Sequence, residues 1–323
     1  MFTVTVTVTV TVTDTHDETD TIKVLRLVRS DGVALAPYSA GAHIDVTGPT
    51  GVTRPYSLCG PPDDSGAYTI AVKREADSRG GSQALHDKAE PGTELTVGAP
   101  RQLFGLATDG ARHHLLAAGI GITPLLAMAY ELHARRAEFT LHYVARSRAE
   151  AAFAGLLEES PFADRVVQYF GLGRPASRDA LATALTGLGA DSHVYTCGPH
   201  DFMTYVRELA ARDLPEERIH SELFQVDSPQ DPSGDTSFEV ELDTGEVYPV
   251  PPGRSIAEVL EENGVPLDTS CREGICGTCV LRVIEGEPDH RDHCLSAKEK
   301  AAGDQIAACV SRAKSPRLVV ELW

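Results

Sequence analysis

Four cysteines in the last quarter of the chain have a spacing that suits an iron–sulfur site. Three of them lie in the run Cys271-Arg-Glu-Gly-Ile-Cys276-Gly-Thr-Cys279, and Cys309 follows further on. A C-x4-C-x2-C spacing with a distant fourth cysteine is the pattern of plant-type [2Fe–2S] clusters, whose two irons are bound by four thiolates. Zinc sites usually contain two C-x2–4-C pairs, which this spacing fits poorly. The pattern therefore predicts a [2Fe–2S] cluster bound by Cys271, Cys276, Cys279 and Cys309.

Two glycines and a further cysteine bear on this prediction. Gly274 and Gly277 lie inside the cysteine loop, where glycine tolerates positive φ and a close backbone approach. Cys294 lies between the third and fourth predicted ligands and is the alternative for the fourth position. We favour Cys309 because it lies just ahead of a terminal strand predicted over Arg317–Trp323.

A second set of residues, spread over the first third of the chain, has the chemistry to bind a flavin nucleotide. Arginine pairs with phosphate oxygens in a bidentate fork, and glycine-rich loops expose amides to the same anion. A tyrosine can stack on the flavin ring, and a serine can reach its N5 atom. A lone Arg-x-Tyr-Ser is more often an ordinary strand, so the prediction depends on the ordered set. Its members are Arg54, Tyr56, Ser57, Leu58, Val72, Lys73, Gly80, Gly81 and Ser82.

Two glycine-containing loops in the middle of the chain suit a nicotinamide nucleotide. Each follows a predicted strand and opens a predicted helix, whose N-terminus favours a phosphate. The first lacks the third glycine of the G-x-G-x-x-G fingerprint, so ordinary strand-to-helix punctuation is the alternative. Loops at strand C-termini of an open parallel sheet face one crevice. The residues are Gly119, Gly121, Ile122, Thr123 and Pro124 in the first loop, and Cys197, Gly198 and Pro199 in the second.

The elements that must position the flavin set are predicted to be β-strands. The segment from Val4 to Thr13 alternates valine and threonine, a strand pattern, and we expect it to pair with Ile22–Val28 across a turn at Asp14–Asp20. Residues 1–6 can instead form a frayed tail, because valine and threonine specify register weakly. Short apolar runs between turn residues over 22–100 predict a barrel or sandwich, with one short helix near Ser82–Lys88.

After Gly110 the pattern changes to alternating strands and helices, which predicts a parallel α/β sheet. The predicted strands are His114–Ala118, Phe139–Val144, Val166–Phe170 and His193–Thr196, and the predicted helices are Leu125–Ala137, Ala149–Glu158, Asp179–Leu185 and Asp201–Ala211. Residues 227–235 are a polar, proline-containing linker. A third unit then opens with a hairpin, Phe238–Leu242 and Glu246–Val250, and a helix over Ile256–Asn263.

Composition and charge exclude several other classes. The net charge of −18 argues against nucleic-acid binding, which requires a basic surface. No run of apolar residues is long enough to span a membrane, and the start of the chain lacks a signal peptide, so we expect a cytoplasmic location. The seven cysteines are odd in number, which argues against a disulfide framework.

Together, and in this order, the three motif sets resemble those of the phthalate dioxygenase reductase family within the ferredoxin–NADP⁺ reductase superfamily. The resemblance runs from about residue 20 to residue 323 and includes the segments Glu285–Asp292 and Cys309–Ala313. Two features depart from it: Cys294 stands where relatives tend to have an aliphatic residue, and the Val-Thr repeat is not a family feature. The resemblance implies three domains, an antiparallel β-barrel binding FMN over 1–108, an α/β nucleotide domain over 109–226, and a β-grasp ferredoxin over 236–323.

The resemblance also implies a function. Electrons would pass from NAD(P)H through FMN to the cluster, and then to a separate oxygenase of the Rieske non-haem iron type or, as the alternative, a cytochrome P450. Ser57 and Cys197 would line the site of hydride transfer, and Phe224 would contact a cofactor. The arginines in Ala145-Arg146-Ser147-Arg148 can hold the 2′-phosphate of NADPH, although the family norm is NADH. We expect a monomer. A non-enzymatic iron–sulfur redox sensor is the rival from another class.

Overall fold

The computed structural model describes residues 7–64, 66–76, 80–110, 112–225 and 232–322. Internal contacts divide the chain into two compact units, one of them Thr7–Leu223 and the other containing Phe224 and the described residues that follow it. None of the described helices is both long and apolar enough to cross a bilayer.

The first part of the larger unit is an antiparallel sheet with strand order β4-β3-β6-β1-β2-β5, in which β7 also pairs with β3. An isolated bridge between Leu58 and Ile70 links the residue after β4 to β5, so that the two ends of the sheet meet as in a barrel. Its interior is a cluster of buried aliphatic side chains together with Tyr68. The elements are β1 (Thr7–Thr19), β2 (Ile22–Arg29), β3 (Ala42–Thr47), β4 (Thr53–Ser57), β5 (Tyr68–Lys73), α1 (Gly81–Lys88), β6 (Glu94–Gly98) and β7 (Arg101–Gln102).

The predicted turn at Asp14–Asp20 is wrong, because β1 continues to Thr19. Residues from Asp14 onward pair with β2, and two register shifts absorb the irregular positions. The connection shortens to Asp20–Thr21. Ladder hydrogen bonds to a neighbouring strand outweigh the low strand propensity of aspartate here. The proposed frayed tail over residues 1–6 lies outside the described residues.

The second part of the larger unit is the predicted parallel sheet. Its strand order is β10-β9-β8-β11-β12, and every pairing is parallel. Its central strands are buried on both faces, as expected for a sheet between helices. The elements are β8 (Arg112–Ala118), α2 (Ile122–Ala134), β9 (Glu138–Ala145), α3 (Ala154–Glu159), β10 (Val166–Phe170), α4 (Gly173–Ala184), β11 (Ser192–Cys197), α5 (His200–Ala210) and β12 (Ile219–Glu222).

Several helix boundaries differ from the predictions. Helix α2 begins at Ile122 instead of Leu125, with Pro124 in its first turn, where a missing N–H costs nothing. The predicted start of α3 at Ala149 is wrong, because Phe153 adopts a left-handed conformation (φ 62°) that separates the helix from the preceding 3-10 turn. Helix α4 starts at Gly173, ahead of the predicted Asp179.

The smaller unit is built on a mixed five-stranded sheet with order β14-β13-β19-β15-β17. Strands β13 and β19 are parallel, and the other pairs are antiparallel. Helix α6 packs over the buried core and begins with a capping box between Ser255 and Glu258. The elements are β13 (Phe238–Leu242), β14 (Val247–Val250), α6 (Ile256–Glu262), β15 (Val280–Glu285), β16 (Pro288–Asp289), α7 (Ala297–Ala302), β17 (Gln305–Ala307), β18 (Arg312–Ala313) and β19 (Arg317–Glu321).

The predicted linker ends in a well-anchored residue. Residues 227–231 lie outside the described residues, as does Trp323 at the predicted end of the terminal strand. The buried Asp235 carboxylate forms ion pairs with Arg291 at 2.8 Å and Arg312 at 3.4 Å, and accepts the Gly253 N–H at 3.1 Å. The last residue of the linker is therefore fixed to the smaller unit.

Candidate functional site

The four predicted cluster cysteines come together in the smaller unit. The thiol of Cys271 contacts those of Cys276 and Cys309, and the Cys309 thiol also contacts that of Cys279. These contacts, and backbone N–H groups that include Glu273 N at 3.3 Å, lower the pKa of Cys271 below its ordinary value. A convergent group of four thiols with amides directed at sulfur is the donor set that a [2Fe–2S] cluster needs.

Cys294 lies beside this group but interacts with a different residue. Its Sγ donates to Asp292 Oδ2 at 3.6 Å. Burial, followed by the charge of Asp292, raises the pKa of the Cys294 thiol. The arrangement favours Cys309 over Cys294 as the fourth ligand.

Gly274 has no room for a side chain. Its φ is +70°, and a Cβ there would lie 2.5 Å from Val310 Cγ2 and 3.1 Å from Asp292 Cα. Gly277 also has positive φ, at 72°. Both glycines therefore adopt the positive φ that was expected of glycine in the cysteine loop.

Strand β4 and the start of helix α1 bring together the residues that were predicted to bind the flavin phosphate. A Cβ on Gly81 would lie 3.0 Å from Arg54 Cγ, so the arginine packs directly against the helix N-terminus. Gly80 precedes the helix in a left-handed conformation, with φ of 96°. A guanidinium beside the first turn of a helix fits a phosphate. Ser82 Oγ accepts the Glu75 N–H at 3.3 Å.

Of the other flavin-set residues, some pack in or against the barrel core and one is exposed. Tyr56 is half-buried against the barrel core, and burial raises the pKa of its phenol to about 12, so the hydroxyl stays neutral. Leu58 and Val72 are buried in that core. Lys73 is exposed and pairs with Glu75 at 2.8 Å. The structure thus places Lys73 in a surface ion pair.

The two nucleotide loops touch each other. Strands β8 and β11 are neighbours in the sheet, with Ala117 opposite Cys197. A Cβ on Gly121 would lie 2.2 Å from Cys197 O and 2.7 Å from Gly198 N, so only glycine permits this approach. Ile122, Thr123 and Pro124 form the buried first turn of α2, while the Cβ position of Gly119 has no described atom within 4 Å. The open backbone at Gly119 and the start of α2 fit a pyrophosphate.

A half-buried carboxyl joins the flavin and nucleotide sets. Glu222 ends β12, directly opposite Cys197 in β11, and its Oε2 accepts the Ser57 hydroxyl at 3.4 Å. Burial raises the pKa of Glu222 to about 8, although the Ser57 hydrogen bond acts against this shift. Burial, followed by the nearby Glu222, raises the pKa of the Cys197 thiol, so it stays protonated. The two predicted catalytic residues, Ser57 and Cys197, are therefore both neighbours of Glu222.

Sequence reasoning missed Glu222. It lies at the end of a short strand with sequence Ile-His-Ser-Glu, whose single aliphatic residue gives little strand signal. The one available signal was the preceding helix α5, since a strand usually follows such a helix in a parallel sheet.

The remaining predicted site residues lie just beyond the ends of strands β9 and β12. The Arg146 side chain, directly after β9, is 90% exposed, and Ser147 Oγ donates to Glu150 at 3.3 Å. Arg148 is held by Glu158. Phe224 lies two residues past β12 and is half-buried.

One domain family and several known proteins are similar to this chain. Residues 240–314 match a family model described as a 2Fe-2S iron-sulfur cluster binding domain. The chain is 43% identical to the vanillate O-demethylase oxidoreductase of Pseudomonas sp. (strain HR199 / DSM 7063), covering 92% of this chain and 94% of that protein. It is 37% identical to the carnitine monooxygenase reductase subunit of Escherichia coli (strain K12), covering 94% and 95%.

Two solved structures are similar over almost the whole chain. Phthalate dioxygenase reductase, described as a modular structure for electron transfer from pyridine nucleotides to [2Fe-2S], is 34% identical, with a TM-score of 0.73 and 98% coverage of both chains. An intact type IV self-sufficient cytochrome P450 monooxygenase is 34% identical, with a TM-score of 0.87, over 97% of this chain and 41% of that one.

These identities extend across the barrel, the parallel sheet and the iron–sulfur unit, and they confirm the resemblance found in the motifs. The cofactors are accordingly FMN, NAD(H) and a [2Fe–2S] cluster. The chain belongs to the phthalate dioxygenase reductase family of NAD(P)H-dependent oxidoreductases.

Proposed function

We propose that this protein takes electrons from NADH and delivers them to a separate oxygenase through FMN and its cluster. The observation that carries the proposal is the Ser57–Glu222–Cys197 arrangement, because it joins the end of the flavin strand to the end of the nucleotide strand. Hydride transfer requires the two cofactors to be held in close contact, and the meeting of these strands provides one place for it.

The residues of the two nucleotide loops would bind NADH and orient its nicotinamide ring. The amides at Gly119 and the start of α2 would hold the pyrophosphate, and the second loop would place the nicotinamide beside Cys197. The Cys197 thiol is buried and protonated, so it offers the nicotinamide a small neutral surface instead of a competing nucleophile. Glu222, with its raised pKa, holds a proton near neutral pH and stays uncharged beside that surface.

On the flavin side, Arg54 and the amides at Gly80–Ser82 would bind the phosphate, Tyr56 would cover the ring, and the Ser57 hydroxyl would face N5. Bound FMN supplies the conversion of a two-electron hydride into single electrons. In the smaller unit, which we assign as a β-grasp ferredoxin, Cys271, Cys276, Cys279 and Cys309 would ligate the cluster. The amide of Glu273 donates to the Cys271 sulfur and so favours its thiolate form.

For the organisation of the chain we propose an FMN barrel over 1–108, a nucleotide domain over 109–226, a linker over 227–235 and a ferredoxin domain over 236–323. The two separate sheets of the larger unit support the first boundary. The division of contacts between Leu223 and Phe224 supports the second. We further propose a cytoplasmic monomer.

The electron acceptor we propose first is a Rieske non-haem iron oxygenase. Support comes from relatives whose names describe reductase subunits of oxygenases, such as the carnitine monooxygenase reductase subunit. A cytochrome P450 is the second candidate, because a similar chain forms part of a self-sufficient cytochrome P450 monooxygenase. A non-enzymatic redox sensor fits poorly with relatives named as oxidoreductases.

Anaerobic mixing with NADH tests this proposal. We expect rapid bleaching of the flavin absorbance followed by reduction of the cluster, and then electron transfer to an added Rieske oxygenase. The same experiment with NADPH compares kcat/KM for the two nucleotides. We expect NADH to be preferred, since Arg148 is paired with Glu158 and Arg146 lies 3.8 Å from Glu150, so both arginines already have a carboxylate partner. Absence of flavin bleaching by either nucleotide would refute the proposal, and a clear preference for NADPH would overturn the choice of nucleotide.

A further inference from the structure

A fully buried carboxylate, Asp292, lies behind the cysteine loop of the smaller unit. The residue is 2% exposed. Its Oδ2 accepts the Leu295 N–H at 2.9 Å, and its Oδ1 accepts the Ser311 hydroxyl at 3.2 Å. A buried charge costs considerable desolvation energy unless hydrogen bonds and an opposite charge compensate it. Asp292 is not one of the four predicted cluster ligands, so ligation does not explain why a carboxylate is buried at this position.

Asp292 contacts the chain near the cysteine loop and also near the distant fourth cysteine. Its Cα would lie 3.1 Å from a Cβ on Gly274, which lies between Cys271 and Cys276. The residues that follow it, His293 and Cys294, donate their N–H groups to Gly274 O at 2.8 and 3.0 Å. Its other contact, Ser311, lies two residues past Cys309. The carboxylate is therefore fixed next to the cluster site, with little freedom to move away.

The compensating cation is only partly buried. Lys300 Nζ, on α7, lies 3.7 Å from Asp292 Oδ2, and its side chain is 30% exposed while that of Asp292 is fully buried. Lys300 also donates to the Asp292 carbonyl. His290 Nδ1 lies 3.5 Å from Asp292 Oδ1. Because the lysine charge is better solvated than the carboxylate, the carboxylate contributes more to the field at the cluster.

We propose that the buried carboxylate of Asp292 holds the reduction potential of the [2Fe–2S] cluster low, and that Lys300 offsets part of this effect. Reduction adds one electron to the cluster, and a fixed negative charge nearby opposes that addition. Net charge around a cluster is among the factors that set its potential. The inference deepens the proposed function, because it assigns a residue that sets the driving force for delivery to the oxygenase.

Potentiometric titration of the full-length holoprotein, with the reduced cluster followed by EPR, tests the proposal. In Asp292→Asn we expect the ratio of reduced to oxidised cluster at a fixed potential to rise roughly tenfold, which for a one-electron couple corresponds to about 59 mV. In Lys300→Met we expect a smaller shift in the opposite direction. Asp304→Asn and Lys298→Met, matched changes at exposed positions of the same unit, should leave the potential unshifted.

Ser311→Ala separates charge from geometry, because it removes one hydrogen bond to Asp292 without changing the charge. An equal shift in this variant and in Asp292→Asn would overturn the electrostatic role, as would an unshifted potential in Asp292→Asn with the cluster intact. If Asp292→Asn does not retain the cluster, Lys300→Met decides, and an unshifted potential there overturns the proposal. Visible and EPR spectra of the wild type show separately whether the cluster is present and whether NADH reduces it. Failure of the proposed function can therefore be distinguished from failure of the role proposed for Asp292.

Discussion

Cys309 and Cys294 differ in the side chains that their thiols contact. Cys309 contacts two of the other three predicted ligands, whereas Cys294 donates to Asp292. We expect Cys309→Ser to lose or severely weaken the visible cluster spectrum while NADH still reduces the flavin. Cys294→Ser should keep the spectrum. The reverse pair of results would show that Cys294 is the fourth ligand.

Glu222 is a second single residue whose role can be tested. Its pKa is raised from 4.5 to about 8 by burial, so the folded state holds a proton that the unfolded state releases. Its stabilising contribution is present below pH 4.5 and is lost as the pH rises through 8. Glutamine mimics the protonated form, so Glu222→Gln should gain about 1–3 kcal/mol in free energy of unfolding over the wild type between pH 5 and pH 9.

Chemical denaturation at the two pH values measures this difference. The exposed Glu217→Gln serves as the matched control and should show the wild-type pH dependence. A Glu222→Gln variant that also follows the wild type would mean that the carboxyl is ionised in the folded protein at neutral pH.

At the scale of elements, the parallel sheet carries a row of histidines across β8, β11 and β12. The rings of His113 and His193 are 6.0 Å apart and those of His193 and His220 are 5.2 Å apart, both stacked. Arg218 donates to His193 Nε2 at 2.9 Å, so His193 Nδ1 carries the proton that it donates to His220 Nε2 at 3.0 Å. The row is thus a neutral network in which the tautomer of His193 is fixed.

This row predicts sensitivity to acid. Burial, followed by the neighbouring His193, lowers the pKa of both His113 and His220 from 6.5 to about 4. The unfolded state therefore binds more protons between these values, and stability falls as the pH drops from 6.5 to about 4. In His113→Phe, which keeps an aromatic ring without titrating, this loss should shrink by about 1–3 kcal/mol.

Thermal unfolding at pH 7.5 and pH 4.5 measures the effect. His200→Gln, at an exposed position on α5, is the control and should behave as the wild type. An unchanged acid loss in His113→Phe would place the sensitivity elsewhere.

The sequence predicted local loops more accurately than contacts between strands that are distant in the chain. The cysteine loop and the Gly80–Ser82 loop are local signals, because each depends on spacing within a few residues. Strand β1 past Asp14 and the site residue Glu222 depend on a partner strand distant in sequence, which local propensity does not encode. Helix α3 was misplaced because Phe153 adopts a conformation that its residue type does not suggest.

At the scale of the whole molecule, the two contact units predict that hydride acceptance and one-electron delivery are separable. Thr7–Leu223 contains the proposed flavin and nucleotide residues except Phe224, and the smaller unit contains all four predicted cluster cysteines. A chain ending at Gln225 keeps Phe224 and should still bind FMN and reduce ferricyanide with NADH, at a rate within a few-fold of the full chain. It should not reduce the oxygenase, because the cluster is missing. Full-length Cys309→Ser is the control, since it impairs the cluster while retaining the rest of the smaller unit. Loss of FMN or of NADH oxidation in the shortened chain alone would show that the larger unit depends on the smaller one for its structure.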